Sequence, residues 1–125
     1  MVMNKSVIEI QKNLDKVIKN LGSDRAATFL ETVLRILGNA VDDLLLSIKE
    51  KNLALCRQYA HKLKGSSSLY GSQTLLELLM HIEKTPELIM DNASKYSALV
   101  REFELVILQI KTRISELDKL GLKIT

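Results

Sequence analysis

The residues of this chain that could do chemistry sit in one stretch, Ala60-His61-Lys62-Leu63-Lys64-Gly65-Ser66-Ser67-Ser68. In a helix of about 3.6 residues per turn, Ala60 joins Cys56 and Leu63 on an apolar stripe, and His61 points away from it. Residues three and four apart share a face. Arg57, His61, Lys64, Gly65 and Ser68 therefore form one exposed strip. A neutral imidazole nitrogen is a nucleophile near neutral pH, and a helix holds it in place. Phosphoryl transfer needs alignment and neutralised oxygens, which Lys64, one turn on, can supply. Gly65 is a poor helix former. Its missing side chain leaves room beside His61 for the backbone of another protein, and the three small serines keep that end uncrowded. Arg57, Lys62 and Ser68 are candidate partner contacts. The first two could steer an acidic surface or be merely solvated.

The other reactive groups read as ordinary ones. His81 lacks the Lys-Gly context and reads as a surface residue. Cys56, on the apolar stripe, reads as a small core residue. His61, His81 and Cys56 have no metal-ligand spacing, so no metal site is expected. A Gly-rich loop ending in Lys-Ser or Lys-Thr is missing, so no nucleotide site is expected.

Apolar positions recur at helical spacing along most of the chain, and no segment alternates with period two. A first helix is predicted from Lys5 to Asn20, with Val7, Ile10, Leu14, Val17 and Leu21 as its stripe. Gly22-Ser23-Asp24 stops it, and Ser23 or Asp24 should cap the next helix. The stretch from Arg25 to Lys51 carries Leu30, Val33, Leu34, Leu37, Val41, Leu44, Leu45 and Ile48 on one face. Gly38 costs about 1 kcal/mol in a helix interior, so a bend or break into two helices is expected there. Phe29, Val33, Ile36 and Leu46 do not all fit one buried face. Burial against the first helix is the favoured reading, over an apolar patch bordering His61.

Asn52 should cap the histidine-bearing helix, which runs to about Leu69 with Leu53, Cys56, Ala60, Leu63 and Ser67 inward. Gly71 fits a stop and Ser72 a new cap. Leu75, Leu78, Leu79 and Ile82 mark a fourth helix, Gln73 to Lys84, which Pro86 ends while keeping Thr85 out of helical geometry. The last helix, from about Ala93 to Asp118, has Asp91 or Asn92 as cap. Its stripe is Tyr96, Leu99, Phe103, Val106, Ile110, Ile114 (or Arg113) and Leu117. Near-heptad spacing and short connections favour antiparallel neighbours. The fold class read from this is all-α: an antiparallel four-helix bundle with an additional N-terminal helix. Residues 1–22 would form the extension and 23–125 the bundle, within a single domain overall.

Composition agrees. The 125 residues are 46% hydrophobic, which suits one globular core, and one Pro and 5 Gly argue against a turn-rich all-β fold. One Cys fits a reducing compartment, and cytoplasmic localisation is expected. No apolar run reaches membrane-spanning length, and the start lacks the apolar core of a signal peptide. A net charge of +3 from mixed signs is too weak to imply nucleic acid or membrane.

At Ala60-His61-Lys62-Leu63-Lys64-Gly65-Ser66-Ser67, followed by Gly71, the sequence resembles the histidine-containing phosphotransfer (HPt) family of multistep two-component signalling. Leu75 and Ile82-Glu83 match further features, and the resemblance spans roughly Arg25 to Glu83. It implies that His61 is the phosphoacceptor through its outer ring nitrogen, that Lys64 stabilises the phosphoryl group and that Gly65 gives access. The implied partners are receiver domains of a hybrid sensor kinase or response regulator. The receiver would bring the aspartate and its Mg²⁺, so this chain would need no cofactor.

Lys51-Asn52, Glu83 and Tyr70 depart from the family pattern. Lys51-Asn52 replaces the usual Gly-Asp. Glu83 stands near where some members place a Gln beside the histidine, and it would repel phosphate if it faces His61; its role is left open. Tyr70 is bulkier than the usual residue before the Gly.

The leading function is therefore a phosphorelay intermediate and phosphohistidine carrier, not an enzyme with an ATP site. The alternative is a helical HPt-like module that binds a receiver without being phosphorylated. A small basic nucleic-acid binder ranks below both, for want of a recognition motif. A monomer is expected.

Overall fold

The computed structural model describes residues 4–124, with side chains to residue 119. Six helices follow one another, and the described residues contain no strand: α1 Lys5–Leu21, α2 Ser23–Lys49, α3 Leu53–Ser67, α4 Gln73–Lys84, α5 Glu87–Met90 and α6 Ala93–Ile124. Helices α2, α3, α4 and α6 close a ring in which each packs against the next. This is the expected all-α bundle, with α1 as the additional helix.

The helix boundaries follow from their capping residues. Asn4 accepts from the Ser6 N–H at the start of α1. Asn52 accepts from Leu55 N–H at α3, and Ser72 from Leu75 N–H at α4. At α6 the choice between two caps falls to Asn92, whose side chain accepts from Lys95 N–H at 2.9 Å. Each such bond satisfies an otherwise orphaned donor and is worth about 1 kcal/mol.

Helix α2 departs from expectation twice. Neither Ser23 nor Asp24 caps it, because both already lie inside the helix. The junction is Gly22 alone, at φ +80°, whose N–H closes on the Ile18 carbonyl at 2.9 Å. Only glycine takes that conformation without strain. Nor does Gly38 break the helix, which runs unbroken for 27 residues. Leu37, Val41 and Leu44 are buried on either side of it. Burying each is worth about 1.5–3 kcal/mol, which outweighs the cost of one glycine.

Other expected positions shift as well. Leu53 is exposed rather than inward, and Leu21 lies at the surface. Ile36 and Leu46 are also exposed, against the expected burial, while Phe29 and Val33 are half-buried against the core; Val33 and Ile36 instead line an apolar patch beside α3. The turn after Pro86 holds the short helix α5, whose Ile89 is buried in the core.

Helix α1 joins the common core through Ile10 and Leu14, both fully buried. It packs on α6, α2 and α4. Its polar residues hold the α3–α4 turn: Asn13 donates to the Gly71 carbonyl at 2.8 Å, and Glu9 accepts from Gln73 N–H at 2.7 Å. Asp15 pairs with Arg113 of α6. Gly71 itself is fixed by space. A Cβ there would lie 2.8 Å from the Ser67 carbonyl oxygen. Among the described residues, no helix is long and apolar enough to cross a membrane.

Candidate functional site

Helix α3 turns Cys56, Ala60, Leu63 and Ser67 into the core. This fixes the opposite strip as the sequence spacing requires. His61 stands on it with 69% of its side chain exposed. Arg57, Lys62, Gly65 and Ser68 are exposed too, and Lys64 is partly covered.

On α4, the buried positions Leu75, Leu79 and Ile82 set the rotation, and Glu83 emerges beside Ile82 on the side of α3. Its two carboxylate oxygens divide between two partners: Oε1 lies 2.5 Å from His61 Nδ1, and Oε2 lies 2.5 Å from Lys64 Nζ. These bonds hold the Glu83 carboxyl below the usual carboxylate range, with the Lys64 hydrogen bond the larger cause and His61 the next. An ionised carboxylate only accepts hydrogen bonds, so Nδ1 must carry the proton. The Nε2 lone pair is then available on the outer edge of the ring. Among the described residues, none forms a hydrogen bond with Nε2.

Arg57 reaches across to the same residue. Its Nε donates to the Glu83 backbone carbonyl at 3.0 Å. That carbonyl is in the last turn of α4, where a cation complements the helix dipole. Arg57, Lys64, Met80, Glu83 and Lys84 together line an open basin next to His61.

The space around Gly65 is open: a Cβ built there meets nothing within 4 Å. Packing therefore does not require a glycine at this position, in contrast to Gly71.

On the other flank of the strip lies an apolar groove of about 250 Å³. Val33, Ile36, Leu37 and Ala40 of α2 face Leu69 and Tyr70 across it, with Lys62 and Ser66 at the rim. This accounts for Tyr70. Its ring is buried as the groove floor, and its hydroxyl pairs with Ser66 Oγ at 2.6 Å. Burial pushes the phenol pKa up, partly opposed by the Ser66 hydrogen bond.

His61, Lys64, Gly65, Arg57, Lys62 and Ser68 thus share one surface. Cys56 lies apart from it, fully buried. His81 is exposed on α4 beside a shallow hollow with Leu88 and Lys95. The sequence alone did not show that Glu83 is the residue facing His61, because that contact depends on how α3 and α4 register. Tyr70 could have been placed from its i, i+4 spacing to Ser66.

The chain matches the family model of the Hpt domain over residues 26–119, and it belongs to that family. The match begins within α2, so α1 lies outside it. No match was found among curated proteins or among solved structures. Hpt domains are phosphotransfer carriers of two-component signalling rather than catalytic enzymes, and they interact with receiver domains.

Proposed function

We propose that this protein relays a phosphoryl group on His61 between the aspartates of two receiver domains. The observation that carries this is the state of the imidazole. It is 69% exposed on a rigid helix, and its Nδ1 is engaged by Glu83. The nucleophilic edge therefore faces outward with no base required. Nε2 attacks the phosphorus of a receiver aspartyl phosphate, the P–O bond breaks, and the aspartate leaves as a carboxylate. Lys64 turns from Glu83 to the phosphoryl oxygens and neutralises them.

Gly65 lets the receiver backbone approach. Arg57, Lys62 and Ser68 contact it at the rim, and the apolar groove floored by Tyr70 takes part of its surface. The basic residues complement the acidic cluster that a receiver needs to hold its Mg²⁺. The protein itself uses no cofactor and no ATP; it acts as a monomer in the cytoplasm.

Phosphotransfer tests this. The whole chain is mixed with phosphorylated receiver domains and the label is followed. Acid-labile, base-stable label on this protein is the expected result. Binding to a receiver without label would replace the relay by a binding-only module.

A further inference from the structure

The site holds a carboxylate where a neutral amide would also hydrogen-bond the histidine. Glu83 accepts from His61 Nδ1 at 2.5 Å and pairs with Lys64 through its other oxygen. The charged groups around the ring are Arg57, Lys62 and Lys64 on α3, and Glu83 and Lys84 on α4. Asp43 of α2 lines a separate hollow with Tyr59 and Lys62. Among these groups only Glu83 bonds the imidazole, and its carboxylate is the negative charge of the basin.

The return step shows what that charge does. When a receiver aspartate attacks phosphohistidine, a P–O bond forms and the P–N bond breaks. The electron pair of the P–N bond goes to Nε2. If Nδ1 carries a proton, the leaving group is neutral imidazole. If it does not, the leaving group is an imidazolate anion, which is far poorer. After phosphorylation Lys64 serves the phosphoryl oxygens, and nearby Arg57 and Lys84 favour loss of the Nδ1 proton. The Glu83 carboxylate opposes that loss, since a nearby negative charge favours the protonated form.

We infer that Glu83 is a positioning residue that keeps Nδ1 protonated in the phosphorylated ring, so that the phosphoryl group moves on and off Nε2 without any proton entering or leaving. This deepens the relay reading and rests on it. Two contributions can hold that proton: the hydrogen bond from Nδ1 and the negative charge of the carboxylate that accepts it.

Glu83→Gln separates the two contributions, because the amide oxygen can still accept from Nδ1. The full ¹⁵N-labelled chain and this variant are phosphorylated with phosphoramidate. Nδ1 of the phosphorylated ring is then titrated by NMR, and the rate of transfer to a receiver is measured from pH 6 to 9. Opposite charges this close shift a titration by about one unit or more. The wild type should therefore hold the Nδ1 proton about one pH unit higher than the variant. Above both midpoints the variant should transfer about tenfold more slowly, with equal rates in the acid range. Coincident midpoints with parallel rate profiles would overturn the inference and leave the relay standing. Label on neither protein would overturn both.

Discussion

Gly65 and Gly71 lie six residues apart, and the structure predicts opposite signs for their replacement by alanine. A Cβ at Gly71 would sit 2.8 Å from the Ser67 carbonyl oxygen and 3.4 Å from both Ser67 Cβ and Leu75 Cδ2. The first contact is with backbone, so no side-chain rotation relieves it. The same oxygen accepts the Gly71 N–H at 2.7 Å, and Asn13 of α1 holds the Gly71 carbonyl. The turn must therefore open against two attachments. Overpacking of this kind costs about 1–3 kcal/mol, and a backbone obstacle places it near 2.5 kcal/mol. At about 2.1 cal/mol/K per residue, the unfolding entropy of this chain is about 0.26 kcal/mol/K, so Tm should fall by about 10 °C. Gly65→Ala meets open space in the last turn of α3 and should gain about 0.5 kcal/mol, or about 2 °C. Thermal and urea unfolding followed by circular dichroism measure both. A Gly71→Ala variant within about 0.5 kcal/mol of wild type would refute the steric argument. A Gly65→Ala variant less stable than wild type would show that Gly65 is there for packing, not for access.

Two other perturbations test the surroundings of the site. Lys51 has a φ of +56°, a left-handed conformation that costs a side-chain-bearing residue about 1–2 kcal/mol, partly offset by the unfolded-state freedom that glycine adds. Lys51→Gly should therefore stabilise the chain by about 0.5–1 kcal/mol, read as a raised urea midpoint; an unchanged or lowered midpoint would contradict the reading. Burial pushes the Cys56 thiol pKa up, against a smaller opposing hydrogen bond from Ser47, so less thiolate forms at a given pH. Alkylation by iodoacetamide at pH 8 should be slow in the native protein and fast in urea, and equal rates would show that the α3 core opens freely.

Much of the fold was legible because local signals and tertiary packing agree. Asn52, Ser72 and Asn92 act as caps where a short polar side chain precedes an apolar stripe. The stripes through Cys56–Ala60–Leu63 and Leu75–Leu79–Ile82 are buried as the 3.6 period requires. Gly38 misled because propensity is a weak prior, and the leucines and valine around it have a core to bury in. Lys51 shows the reverse. The family's usual glycine is absent, yet the backbone still adopts the geometry that glycine would suit.

The site was legible as far as one helix reaches. Arg57, His61, Lys64, Gly65 and Ser68 fall on one face by spacing alone. The Glu83 contact was not legible, since it joins residues 22 apart and depends on the rotation of α4. The bond from Arg57 to the end of α4 was hidden for the same reason.

The central claim is that His61 carries the phosphoryl group, and substitution of that one residue tests it most directly. Wild type and His61→Gln are each incubated with the same phosphorylated receiver domain. Far-UV circular dichroism serves as the control for fold, because the His61 side chain is exposed and its loss should leave the helices unchanged. The account predicts acid-labile, base-stable label on the wild type and none on the variant. Label of that kind on a folded His61→Gln variant would place the phosphoacceptor elsewhere and contradict the account.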